Sequence, residues 1–335
     1  MTATTTARRA GTIARRGQVP WRRLAWVTWR QHRGALIGML LVFLLAGALL
    51  IATGIPLHGP SAWRVGHPWS RYFAVALNAS VLLHQAIPVL AGMFLGAPLL
   101  AREAELGTSR LAWTQGVGLT RWLLAKIVPL AVLSALAAAG LARELSWWLG
   151  QFRSGYVVSP WGYPSQVSWG PALFDLHPLP FAGWVTLGLG LGVFLGAVIR
   201  RTVPAMAATL ACYTALGYAA MSWRTAYLAP LRRTVPVQFS PGGGYGYSGY
   251  WGSRLGPGPD ILTSNLGWPN GRPISSAQVT QHSAAWLTVN HIKLWVTYQP
   301  ASRFSLFQAI EFGWLIVLAA ILITATVVLI RRRAA

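Results

Sequence analysis

Acidic side chains are the groups in this chain that could most readily do chemistry, and there are only six of them. They are Glu103, Glu105, Glu144, Asp175, Asp260 and Glu311. Glu103 and Glu105 share one polar stretch with Arg102, Gly107 and Arg110. Acid–base catalysis needs carboxylates or histidines gathered at one site. The other acidic residues are scattered along the chain, so we predict no catalytic residues.

Metal, thiol and nucleotide chemistry have equally few candidate residues. Asp175 and His177 could supply two metal ligands or a catalytic acid, but no third ligand is near them in the sequence. Cys212 is the single cysteine, which permits no intrachain disulfide. No G-x-x-x-x-G-K-[ST] loop occurs, so we do not expect the chain to hydrolyse ATP by itself. The predictions are no metal site, no cofactor and no enzyme activity.

The composition indicates a membrane protein. Only 10% of the 335 residues are charged and the mean hydropathy is +0.46, whereas soluble domains carry about 25% charged residues. The net charge of +22 could indicate nucleic acid as a partner. We reject that partner because the basic residues flank apolar runs and form no continuous basic face. Six runs are long and apolar enough to cross a bilayer as helices: 34–54, 81–101, 123–142, 182–199, 203–222 and 312–330.

The arginines predict how these six spans are oriented. They precede the first span, separate the second from the third and the fourth from the fifth, and follow the sixth as Arg331, Arg332 and Arg333. Short loops rich in Lys and Arg stay in the cytoplasm. Six crossings therefore place every cluster on one side, with both termini cytoplasmic. Three outer loops follow, at roughly 55–80, 143–181 and 223–311.

We predict an all-α membrane protein with one transmembrane domain, 34–330, between two cytoplasmic basic tails, 1–33 and 331–335. Residues 21–33 are expected to form an amphipathic helix on the inner leaflet, with Trp in the interface and Arg toward anionic lipid. The alternative is a basic flank that orients the first span. Within the large outer loop, 284–298 is apolar but too short to span. We interpret it as an element on the outer membrane surface, or as a strand because its apolar residues alternate.

The cytoplasmic segment 102–122 links spans two and three. Gly107 is suited to end one helix and Thr108 to cap the next. The pattern predicts a short helix across the cytoplasmic mouth of the bundle, tethered to two spans, which could convert a push from a partner into helix movement. The alternative is an ordinary loop with charges at the water boundary. Lys126 lies near the inner end of span three and is expected to snorkel to the interface.

Glycines recur at helical spacing within the spans. Gly188, Gly192 and Gly196 fall on one face of span four, and Gly92 and Gly96 repeat the spacing in span two. Small residues at that spacing let helix backbones approach closely. Packing within the bundle is the simpler interpretation, and contact with a second copy of the chain is the alternative.

The pattern Arg-Glu-x-Glu-x-Gly-Thr from Arg102, followed by Thr120-Arg121 and Lys126, resembles the first cytoplasmic loop of permease subunits of ATP-binding-cassette (ABC) exporters of the second integral membrane type. The runs 96–103, 200–206 and 298–304 also resemble bacterial members of that family. The similarity covers most of the chain outside 223–283. One departure is that many relatives have a proline late in the loop, where this chain has Gln115-Gly116.

That resemblance implies a surface helix, six spans and a coupling helix that docks on a separate cytoplasmic ABC ATPase subunit. It carries over to Glu103, Glu105, Gly107 and Thr108, with Arg102 and Arg110 in the same loop. It also implies two membrane subunits, a second permease copy or a paralogue, in a bacterial plasma membrane. The predicted function is an export permease of unknown substrate. The alternatives are a non-transporting membrane scaffold or sensor and a membrane-embedded enzyme on lipid-linked substrates.

Overall fold

A computed structural model describes residues 21–54, 69–107, 118–150, 156–158, 164–166, 169, 171–235, 260–282 and 284–334. The basic tail before Pro20, Thr108, Arg110 and the short helix predicted across the cytoplasmic mouth lie outside the described residues. The α-helices are α1 (Trp21–Gly54), α2 (Trp69–Leu90), α3 (Ala97–Glu105), α4 (Leu119–Gly150), α5 (Pro171–Phe174), α6 (Pro178–Ile199), α7 (Thr202–Trp223), α8 (Ser276–Gln281), α9 (Ala284–Val289) and α10 (Phe304–Ala334). A π-helix, Ala91–Gly96, joins α2 to α3.

Five helical segments in the described part of the chain are long and apolar enough to cross a membrane. They are Ala79–Glu105, Leu119–Trp148, Pro178–Ile199, Thr202–Ala226 and Ala301–Arg333. These segments coincide with predicted spans two to six. The apolar part of α1, Leu36–Ala52, is shorter than the others. The first of the six spans therefore stays a prediction.

Helix α1 is continuous from Trp21 to Gly54, so the surface helix and the first span that we predicted as separate elements form one helix. Its interior contains no proline, and each glycine there costs only about 1 kcal/mol relative to alanine, so nothing in the sequence ends the helix between the two parts. Trp26 is exposed, and the guanidinium of Arg30 lies 5.5 Å from the centre of its ring. That pairing one turn apart explains why an aromatic residue stands among the arginines.

Helix α6 forms the centre of the bundle. It packs against α2, the π-helix, α3, α4, α7 and α10. Most of its residues are buried, which explains why its sequence is apolar all round and has no polar face. Arg200 ends the helix with a φ of 60° in the left-handed region, and its N–H donates to the carbonyl of Gly196 at 3.0 Å.

The segment between α7 and α10 contains a small sheet that the all-α prediction did not include. Strands β3 (Leu231–Val235), β4 (Asp260–Gly267) and β5 (Lys293–Gln299) pair antiparallel in the order β3-β5-β4. The alternating residues of β5 that are buried are Leu294, Val296 and Tyr298, and they form a core with residues of the other two strands and of α8 and α9. A two-stranded hairpin, β1 (Tyr156–Val158) and β2 (Pro164–Gln166), precedes α5. The strand interpretation of the alternating apolar residues is the one observed.

Candidate functional site

The two ends of the helical bundle differ in charge. At one end α3, α6 and α10 finish while α4 and α7 begin, and we call this the arginine-rich end. It carries a set of exposed arginines: Arg102, Arg200, Arg201, Arg331, Arg332 and Arg333. At the other end α6 and α10 begin and α7 finishes, close to the three-stranded sheet, and we call this the sheet end. The predicted coupling loop leaves the bundle at the arginine-rich end.

The first residues of that loop have a defined backbone. Leu106 N–H donates to the carbonyl of Arg102 at 3.0 Å, and Gly107 N–H donates to that of Ala104 at 3.3 Å. Gly107 has a φ of 66°, which glycine adopts without steric cost and other residues rarely adopt. The chain therefore turns out of α3 directly after Glu105. Glu103 and Glu105 are held on the last turn of a helix.

Glu103 is joined to span three by an ion pair. Its carboxylate accepts a hydrogen bond from the ammonium of Lys126 on α4. Lys126 is only 2% exposed, and its ammonium lies 3.9 Å from the centre of the Trp122 ring. The expectation that Lys126 snorkels to the interface is therefore wrong, because a carboxylate and an aromatic face satisfy its charge inside the protein. The pair fixes the end of α3 against the first turns of α4.

Glu105 is joined to span five. Its carboxylate accepts one hydrogen bond from the backbone N–H of Thr202 at 2.8 Å and one from the hydroxyl of Thr202 at 2.6 Å. Arg201 occupies the N-cap position of α7 and offers no capping bond of its own. A carboxylate at a helix N-terminus satisfies an orphan N–H and lies at the positive end of the helix dipole. Glu105 is thus the cap of α7, supplied from a different helix.

The glycines of α6 contact the backbone of span two within the same chain. A Cβ added at Gly188, Gly192 or Gly196 would lie under 3.0 Å from the carbonyl oxygen of Pro88, Gly92 or Ala97 respectively. These positions have no room for a side chain, so the two helices touch through their backbones. The described contacts place this face inside the bundle and not against a second copy.

The π-helix lies in the middle of that backbone contact. It follows Pro88, which has no N–H to donate, and Gly92 and Gly96 lie within it. π-Helical turns are rare and occur frequently at functional sites. Its position between the glycine contacts and Glu105 puts an irregular turn in the span that leads into the coupling loop.

Comparison with known proteins gives one match. A model of the family described as ABC-2 membrane transporter related matches residues 61–224. Over that segment, the chain is similar to the ABC-2 membrane transporter related family. The segment includes Glu103, Glu105, Lys126, Thr202 and the whole of α6. No curated protein and no solved structure matches significantly. This ABC-2-related chain is a multi-pass membrane protein with a permease-type role.

Two partners at the arginine-rich end of this ABC-2-related chain were missed from the sequence. Thr202 was noted only as part of the run 200–206, and its role as the donor to Glu105 depends on contacts across 97 positions. Arg333, predicted as part of a cytoplasmic tail, donates to the carbonyl of Ala197 at 2.6 Å and ties the end of α10 to the end of α6. The only sequence signal was that both residues flank apolar runs.

The acidic residues of the ABC-2-related chain are less scattered than predicted. Asp175 and Glu311 both accept hydrogen bonds from the guanidinium of Arg224 at the sheet end. The ring of His177 packs edge-on against Phe304, with centroids 4.8 Å apart, and is engaged in an aromatic contact. The described residues contain no group of three His, Cys, Asp or Glu side chains that could hold a metal ion. The expectation that these carboxylates stand alone is wrong for two of them.

Proposed function

We propose that this chain is the membrane subunit of an ABC exporter in a bacterial plasma membrane, driven by ATP hydrolysis on a separate cytoplasmic subunit. The observation that supports it best is the pair of contacts at the start of the coupling loop. Glu103 is bound to α4 and Glu105 to α7. A force applied to the loop therefore reaches the first turns of two other membrane helices at once, which is what coupling to an external motor requires.

The two kinds of contact in the bundle suggest which parts move. Glycine-to-backbone packing between α2 and α6 leaves no space for sliding under load, so these helices form the fixed element. The Glu105 contact is an exposed polar one, so water can replace its hydrogen bonds when it breaks. We expect α4 and α7 to tilt about the α2–α6 pair when the ATPase closes.

The charge of the arginine-rich end supports the orientation. Its exposed arginines favour the cytoplasmic leaflet, where anionic lipids lie. This places the coupling loop on the side where an ATPase has access to ATP. A second permease copy or a paralogue is the further partner that the family resemblance implies.

The experiment begins with the ATPase. The partner to test is the product of a neighbouring reading frame that carries a G-x-x-x-x-G-K-[ST] loop, co-expressed with this chain. We expect the two to co-purify and the ATPase rate of the complex in proteoliposomes to differ from that of the free ATPase. Glu103→Lys and Glu105→Lys should each change the ATPase rate of the complex at least threefold, toward the rate of the free ATPase. Ser264→Lys, which adds a charge at the exposed surface of β4, is the control and should leave the rate unchanged.

Two outcomes would contradict the proposal. One is that no ATPase with such a loop binds the chain. The other is that both charge reversals leave the ATPase rate and its coupling as in the unmodified complex, which would remove Glu103 and Glu105 from the mechanism.

A further inference from the structure

A cavity of about 230 Å³ lies between α2, α6 and α7 toward the sheet end of the bundle. Its wall includes four aromatic side chains. The side chains that matter here are Gln85, Asp175, Phe181, Trp184, Tyr213 and Tyr218. The volume is small for a ligand site and suits only a small organic molecule. The cleft is open beside Tyr218, which is 75% exposed.

The charges beside this cavity do not balance. Arg224 is a single cation, and two carboxylates face it. Glu311 is completely buried. Its carboxylate accepts hydrogen bonds from Nε and Nη2 of Arg224, both at 2.9 Å, and from Nε1 of Trp184 at 3.0 Å. Glu311 therefore neutralises the guanidinium with a bidentate pair. Asp175 is the surplus carboxylate, and it is the member of the cluster that lines the cavity.

The geometry points to an organic monocation as the occupant. We propose that the cavity binds a molecule with one positive charge placed beside Asp175 and an apolar body packed against Trp184 and Tyr213. The ring of Tyr213 meets that of Trp184 edge-on with centroids 5.5 Å apart, and both residues line the cavity. Aromatic faces attract cations by about 0.5–2 kcal/mol each, more where water is excluded. An anion would be repelled by the carboxylate of Asp175, and a neutral molecule would form no ion pair with it.

Protonation of Asp175 tunes this site. Burial raises the pKa of Asp175 to about 8; Arg224 opposes that rise and Glu311 adds to it. Two nearby groups, His177 and Tyr227, have pKa values shifted away from neutrality. Burial lowers the pKa of His177 to about 4 and raises that of Tyr227 to about 12. Tyr213 on α7 faces the same two carboxylates. A cation should thus bind more tightly above pH 8, where Asp175 is ionised. Below that pH, binding of the cation should release the proton from the carboxyl group of Asp175.

As an account of the transported substrate, this inference rests on the proposed export function; as a binding site it can be tested without any ATPase. The assay is quenching of tryptophan fluorescence in the purified full chain in detergent at pH 8.5. Three probes of similar shape and different charge are compared: phenyltrimethylammonium, N,N-dimethylaniline, which is neutral at this pH, and benzenesulfonate. We expect saturable binding of phenyltrimethylammonium, at least tenfold tighter than of the other two.

Variants separate a site from nonspecific partitioning. Asp175→Asn should weaken phenyltrimethylammonium binding at least tenfold and abolish its pH dependence between pH 6.5 and 9. Asp175→Glu keeps the charge and should retain binding, which covers the case in which the amide variant folds poorly. Glu144→Gln is the control, because Glu144 packs against Gly47 of α1 on another face of the bundle. Equal affinity for the three probes, or unchanged affinity in Asp175→Asn, would overturn the inference. If the chain binds the cation but no ATPase binds the chain, the export function is contradicted and the binding site is not.

Discussion

Glu105 caps a helix that begins 97 positions further along the chain, by accepting hydrogen bonds from both the backbone N–H and the hydroxyl of Thr202. The same turn of α3 holds Glu103, which is paired with Lys126 on α4. Two carboxylates that are neighbours in sequence thus belong to two different helix contacts. This arrangement makes the end of α3 the point where three membrane helices meet at the arginine-rich end.

Removing the hydroxyl of Thr202 should weaken the start of α7. Thr202→Val keeps the shape and the backbone N–H but loses the hydroxyl bond to Glu105, and we expect a lower melting temperature. Thr214→Val is the matched control, since that hydroxyl donates only to backbone carbonyls of its own helix. Thermal denaturation of the purified chain in detergent measures both. Equal shifts in the two variants would contradict the capping role.

Removing the charge of Glu103 should cost more than removing the whole ion pair. Glu103→Gln leaves the buried ammonium of Lys126 without its counter-ion, which typically costs about 3 kcal/mol or more. Adding Lys126→Met to that variant removes the stranded charge, and the double variant should recover most of the lost stability. The comparison is made by thermal denaturation in one detergent. A double variant less stable than Glu103→Gln alone would show that the pair is not coupled as described.

A methyl group at Gly192 should disrupt the centre of the bundle. The Cβ of Gly192→Ala would lie under 3.0 Å from the backbone of Gly92, and backbone cannot move aside as a side chain can. We expect a loss of about 1–3 kcal/mol, the usual cost of overpacking. Gly140→Ala in α4 is the control, because nothing lies within 4 Å of its added Cβ and alanine is the better helix former. A neutral Gly192→Ala would mean that α2 and α6 are not in backbone contact.

The partly buried Asp175 should make stability fall as the pH rises. Its pKa is about 8 in the folded chain, against an ordinary value of 3.8. Between these values the folded chain holds a proton that the unfolded chain has released, so a rise in pH favours unfolding across this window. Below and above the window this contribution is constant. Asp175→Asn should remove it, and the difference in melting temperature between the two proteins, measured from pH 5 to 9, should change steadily in favour of the variant. A difference independent of pH would contradict the shift.

Much of the architecture could be predicted from local patterns. Apolar length located the segments that became α4, α6, α7 and α10, because a membrane span has to satisfy its own backbone and therefore needs a continuous apolar helix. The glycine spacing in α6 indicated close backbone packing in the same way. The continuous α1 and the sheet built around β5 were not predicted, since a helix continues until something ends it and a strand needs partners that are far away in sequence.

The sequence by itself indicated a membrane protein similar to the ABC-2-related family and located the segments that are long and apolar enough to cross a membrane. It could do so because hydrophobicity, helix length and short motifs are local properties. Only the tertiary structure decided what the charges do. Glu103 forms an ion pair with Lys126, and Glu105 accepts a hydrogen bond from Thr202. Arg224 forms ion pairs with Asp175 and Glu311. All of these contacts join residues that are distant in sequence. Such pairings depend on the rotation and depth of each helix in the bundle, and a linear pattern of residues does not specify either quantity.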